Sequence, residues 1–62
     1  MNINVRQPRY RIWNADTFEV VARNWNREDI LNEFGVSLVK FQRDMAEYGE
    51  CSVDNLVIEL DR

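Results

Sequence analysis

The sequence predicts a small α+β domain with the element order β-β-α-α-β, a three-stranded antiparallel sheet carrying two helices on one face. Three observations lead there. Apolar residues alternate with the period of a strand at 9–13, 18–23 and 56–60. Between the second and third of these lie two stretches of helical spacing, each opened by a capping residue and closed by a glycine. A length of 62 residues, with one cysteine and one proline, leaves room for a single domain. Pro8 closes off an N-terminal tail, residues 1–8, in which Ile3 and Val5 offer a short extended piece. The domain proper is expected over 9–62.

In the first strand Tyr10 and Ile12 share one side, and Arg9, Arg11 and Trp13 the other. In the second, Phe18, Val20 and Ala22 share a face. Asn14-Ala15-Asp16-Thr17 supplies the turn between them, so the pair is predicted as a hairpin. Asn26 then caps a helix with Asp29 three residues on, flanked by Trp25 and Ile30 at the positions of a hydrophobic staple. Gly35 suits the left-handed residue that ends it. The same grammar repeats at once: Ser37 caps, Val36 and Phe41 make the staple, and Gly49 stops the second helix. Leu38, Phe41, Met45 and Tyr48 line one side of that helix. Asp54-Asn55 marks a turn into the last strand, where Leu56, Ile58 and Leu60 face one way. Two amphipathic helices can cover one face of such a sheet. The expected core is therefore Tyr10, Ile12, Phe18, Val20, Ile30, Leu31, Phe34, Leu38, Phe41, Met45, Leu56, Ile58 and Leu60. The other face, with Arg9, Arg11, Trp13, Val21 and Val57, is expected to be bare.

A chain this short buries only about 60% of its unfolded surface. Small domains often draw extra stability from disulfides, metals or partners. One cysteine forbids an internal disulfide, and the absence of histidine makes a structural zinc site a poor fit. Self-association is the remaining source, and a homodimer is expected, with the final strand as a candidate edge for pairing with a second copy. Cys51 is read as a small residue in a turn. A lone cysteine fits a reducing compartment, no apolar run nears the ~20 residues of a membrane span, and the N-terminus lacks a signal peptide's apolar stretch. A cytoplasmic protein without a membrane partner is the expectation.

Chemistry has little to work with here. There is no histidine for a Ser-His or Cys-His arrangement, and both glycines are committed to helix stops rather than to a phosphate loop. Glu28, Asp29 and Glu33 read as the solvated face of the first helix. No catalytic residue, metal or cofactor is expected, and the protein is read as a non-enzyme.

Binding is the alternative. The net charge of −3 conceals a basic front, with Arg6, Arg9 and Arg11, and an acidic back, with Asp44, Glu47, Glu50, Asp54, Glu59 and Asp61. The two ends are expected to pair, within the fold or across a dimer. Arg9, Arg11 and Trp13 on the bare face make the best contact patch, since Trp and Arg favour protein interfaces. The other reading of Trp13 packs it on the N-terminal tail or on an arginine stem. Arg9 and Arg11 also suit a small anionic ligand.

The stretch Arg27 to Ala46 resembles the bihelical unit of helix-turn-helix DNA-binding proteins, through Ile30, Phe34, Gly35, Val36, Phe41 and Met45. It departs at Leu31, where that unit has a small residue, and at Asp44, where it is usually apolar. The resemblance implies a reading role for Ser37, Lys40, Gln42 and Arg43 on the second helix. Residues 9–60 are also similar in pattern to very short phage and mobile-element proteins, through Tyr10-Arg11-Ile12-Trp13, Val20-Val21-Ala22, Ile30 to Ser37 and Leu56 to Leu60. That likeness implies a regulator or an inhibitor of host machinery, acting in the host cytoplasm. Negative net charge and the Trp/Arg face put a protein partner first and DNA second.

Overall fold

The computed structural model describes residues 7–61, so the expectation for Ile3 and Val5 lies outside the described residues. Its elements are β1 (Tyr10–Asn14), β2 (Val20–Trp25), α1 (Arg27–Phe34), α2 (Leu38–Tyr48), β3 (Glu50–Val53) and β4 (Leu56–Leu60). The α+β class and both helices are as expected. The sheet has four antiparallel strands rather than three, in the order β2-β1-β4-β3.

Both helices are bounded by the residues that predict them. The Asn26 side chain accepts the Asp29 N–H at 2.8 Å, and the Ser37 hydroxyl accepts the Lys40 N–H at 3.1 Å. These bonds satisfy N–H groups that a helix start leaves without partners. Gly35 and Gly49 end the helices at φ of 64° and 75°. Of the expected staple residues, Ile30, Val36 and Phe41 enter one core cluster and Trp25 packs against it, 6.0 Å from the ring of Phe34.

The extra strand is β3. Glu-Cys-Ser-Val alternates polar with apolar, but over only four residues, and it follows the helix stop without a linker. Asp54-Asn55 does form the turn, with Asp54 at φ 54°, but it joins β3 to β4 as a two-residue hairpin. Cys51 is therefore a strand residue without exposed surface, not a turn residue. β4 in turn lies between β1 and β3, so the final strand is not the sheet edge that the sequence suggests.

A second correction concerns β2. From Tyr10 to Ile12 the partner moves three residues, from Trp25 to Ala22; from Ile12 to Trp13 it moves two, from Ala22 to Val20. Each step inserts one extra residue into β2, a bulge that breaks strict alternation. Ala22 and Trp25 thus face the helices, while Val20 comes opposite Trp13 on the other face. Phe18 and Val20 leave the expected core, at 77% and 52% exposure.

The core lies between the helices and one sheet face. Ile12, Ile30, Phe41, Cys51 and Ile58 are its fully enclosed side chains, joined by Tyr10 and Val36. Tyr10 meets Phe41 edge-on, with ring centres 5.2 Å apart and planes at 81°. Leu31, Phe34, Met45 and Leu56 are half-buried around this cluster as expected, but Leu38 and Leu60 are exposed. No helix among the described residues is long and apolar enough to cross a membrane.

Candidate functional site

Alternation places Arg11 and Trp13 of β1 and Val57 and Glu59 of β4 on the face away from the helices, in register as Arg11 beside Glu59 and Trp13 beside Val57. The bulge adds Val20 of β2 next to Trp13. Glu59 organises the group. It accepts two guanidinium N–H bonds from Arg11, that from Nε at 2.7 Å, and the Trp13 indole N–H at 3.0 Å. Trp13 is half-buried, with its indole N–H anchored on Glu59. Val57, between Trp13 and Ser52 in register, is buried on this face rather than bare.

Phe18 completes the arrangement. It lies in the loop between β1 and β2, where its N–H donates to the Asn14 carbonyl at 2.7 Å while the Asn14 N–H donates to the Glu19 carbonyl at 2.8 Å. Its backbone has φ of 63°, a left-handed conformation that hairpin loops ordinarily give to glycine or asparagine. Its ring stacks on Trp13 with centres 6.1 Å apart and planes at 18°, and yet stays open to water. Arg11, Trp13, Phe18, Val20 and Glu59 line an open depression of about 240 Å3.

The electrostatics of this corner are mild. The Arg11 guanidinium, and after it the Trp13 indole, hold the Glu59 carboxyl below its ordinary value of 4.5. Arg11 is correspondingly not a free cation. A lowered folded-state value means that the pair stabilises the fold fully above pH 4.5 and ceases to do so as pH falls through that lowered value. Asp61, beside Arg23, and Asp44, beside Lys40, are shifted the same way from 3.8. Glu59→Gln is expected to cost about 0.5 to 1 kcal/mol at pH 7, a partly exposed pair being worth no more. It should also flatten the loss of stability below pH 4.5. Urea titrations at pH 7 and pH 3.5 check this, and equal pH dependence in both proteins would refute the role given to Glu59.

The remaining sequence candidates divide. Arg9 precedes β1 at the far end of the same face, where its carbonyl accepts the Asp61 N–H at 2.9 Å. Its guanidinium makes no ion pair among the described residues. On α2, Ser37 is engaged as the cap, Lys40 bonds Asp44 at 2.6 Å, and Arg43 lies 3.5 Å from the same carboxylate. Gln42 is exposed. Asp44, the departure from the helix-turn-helix pattern, thus binds both cations that DNA reading would use. The basic front and acidic back do meet within the fold, through Arg11 and Glu59.

Two features bear on chemistry. Cys51 lies 3.8 Å from both Lys40 and Asp44, but burial outweighs the cation and pushes its thiol up from 9.0, so it is protonated at neutral pH. Among the described residues no group of three or more Cys, Asp or Glu is placed to hold a metal. Phe18, Val20 and Glu59 are the contributors that the sequence reading missed. Glu59 shares the odd phase of Arg11 and Trp13, a usable signal once β1 and β4 are known neighbours. Phe18 follows a four-residue turn, which the alternation of Phe18, Val20 and Ala22 obscured. No protein family, no curated protein and no solved structure matches this chain at a significant level.

Proposed function

We propose that this chain is a non-catalytic regulator or inhibitor of the phage or mobile-element type, working by binding a protein partner through the Trp13–Phe18–Val20 corner of its sheet, rimmed by Arg11. The observation that carries the reading is Phe18. A bulky residue in a left-handed backbone costs stability, and an exposed ring returns little of it through burial. Strain of this kind collects at binding sites. An aromatic pair with an adjacent β-branched residue and an arginine is also the composition of an interface centre. The DNA reading has less behind it, because Asp44 neutralises Lys40 and Arg43 where a phosphate backbone would need them.

The homodimer no longer has a route through the final strand. We place a second copy on the same aromatic corner, in competition with the partner. Val20→Glu puts a charge into the patch at an exposed site, whereas Trp13→Ala also uncovers Val57 and tests the fold as much as the interface. With the Val20→Glu protein as bait, the partner recovered from host lysate by wild type and identified by mass spectrometry should be lost, and any dimer seen by light scattering should become monomer. Lys40→Ala with Arg43→Ala should retain the partner. Retention by Val20→Glu, or a shifted DNA band at low salt that needs Lys40 and Arg43, would overturn the reading.

A further inference from the structure

Among the described residues the sheet has two edges, β2 and β3, and they differ. β2 is guarded. Two inserted residues disrupt its ladder, Asn24 turns left-handed at φ 62°, and Asp61 takes the Asn24 N–H at 3.0 Å and the Arg23 guanidinium at 2.7 Å. Bulges twist an edge away from an incoming strand. β3 has no such protection: Glu50, Cys51, Ser52 and Val53 pair with β4 in unbroken register, without proline or lysine among them.

The backbone groups open on that edge can be assigned. A two-residue turn makes its flanking residues, Val53 and Leu56, a hydrogen-bonded pair. Cys51 and Ile58 are then the next such pair. The other side of β4 agrees: Ala15 donates to the Asn55 carbonyl and Asp61 to that of Arg9, so odd residues of β4 turn to β1 and even ones to β3. The N–H and C=O of Glu50 and Ser52 therefore point away from the sheet. Alongside them runs α2, and an open groove of about 410 Å3 lies between Lys40, Asp44 and Tyr48 of the helix and Glu50 and Ser52 of the strand. An edge strand beside a helix is the setting in which an extended segment adds as a further strand, gaining main-chain hydrogen bonds and laying alternate side chains in the groove.

Charge selects the occupant. Lys40 and Arg43 are both engaged by Asp44, while Glu47, Glu50 and Asp54 make no ion pair among the described residues. A second copy fits badly. Antiparallel pairing of β3 with itself, about a two-fold at Cys51, would match Glu50 with Ser52 and gather two sets of these carboxylates, on chains that each carry −3. Like charges of this kind reject a partner. We propose that the outer edge of β3, with the α2 groove, receives an extended basic segment of another protein as a fifth strand. This site is separate from the aromatic corner and stands whether or not that reading holds.

The test uses two end-capped heptapeptides, TKVRVKT and TEVEVET, titrated into the isotope-labelled chain. The basic peptide is expected to give saturable NMR shifts centred on the Glu50 and Ser52 amides, with affinity about tenfold above the acidic one, from cross-strand charge pairs. Ser52→Pro removes the outward N–H, at an edge position where proline is tolerated. It should keep the native spectrum and lose the titration. Glu50→Lys should keep the fold and shift preference to the acidic peptide; this reversal carries the test alone if Ser52→Pro does not fold. Val20→Glu should leave the titration unchanged, which separates this site from the corner. Equal affinity for both peptides, or shifts centred elsewhere, would overturn the proposal. So would a wild-type dimer that Ser52→Pro converts to monomer, since the occupant would then be a second copy.

Discussion

Phe41→Ala is expected to remove about 3 to 5 kcal/mol of stability, seen as a large downward shift of the urea midpoint and of the melting temperature. Phe41 is the largest of the fully enclosed side chains, and the only one from α2. Its ring meets Tyr10 edge-on and joins β1 to the second helix through the centre of the core cluster. Truncating a buried phenylalanine typically costs about 3 to 5 kcal/mol. A domain of this length has about 3 to 9 kcal/mol in all. Five enclosed side chains cannot absorb the loss of one by repacking. A cooperative urea transition displaced by less than about 1 kcal/mol would show that the core does not depend on this contact.

Phe18→Gly should do the reverse, sparing the fold and weakening the proposed partner binding. Glycine relieves a left-handed strain worth about 1 to 2 kcal/mol. It forfeits an exposed stack on Trp13 worth about 0.5 kcal/mol and a comparable amount through added chain entropy. The net change in stability is expected between about zero and 1 kcal/mol in favour of the variant, by these opposing effects. Partner affinity, by contrast, should fall at least about 30-fold if the ring is a central anchor. Urea unfolding and titration calorimetry against the recovered partner read the two quantities separately. A destabilisation above about 1.5 kcal/mol would make Phe18 a structural residue. Unchanged affinity would move the interface off the corner.

The helices were readable because their signals are local. Asn26, Gly35, Ser37 and Gly49 each act on backbone groups within four residues, so neighbouring sequence is enough to place them. The central strands β1 and β4 were readable from period-two alternation. Their adjacency was not, because it rests on contacts across 48 residues such as that between Arg11 and Glu59. β3 escaped for a different reason: Cys51 and Val53 alternate with polar neighbours over only four residues, too short a run to announce a strand beside the helix stop. Alternation puts Phe18 and Val20 in the core because it assumes an uninterrupted ladder, and the bulges in β2 break that assumption. Of the candidate site, Arg11 and Trp13 were legible from strand phase. Their partner Glu59 and the strained Phe18 required the strand order and the loop geometry.

The strand order has a consequence for how the chain comes to be folded. β1 and β4, the first and last strands described, are the two inner ones, and Asp61 is bonded back to Arg9. While the chain is being made, β1 and β2 can form only a two-stranded hairpin, which is marginal by itself. The helices meanwhile have half a sheet to cover. The central seam of the sheet closes only once β4 is available, so β1 waits for its inner partner until the other described elements have been made. Because that seam brings residues 9 and 61 side by side, those two residues could be joined by a short linker and the chain reopened at the tight Asp54–Asn55 turn. Such a permuted chain would make β4 and β1 successive strands and turn the slowest long-range closure into a local one.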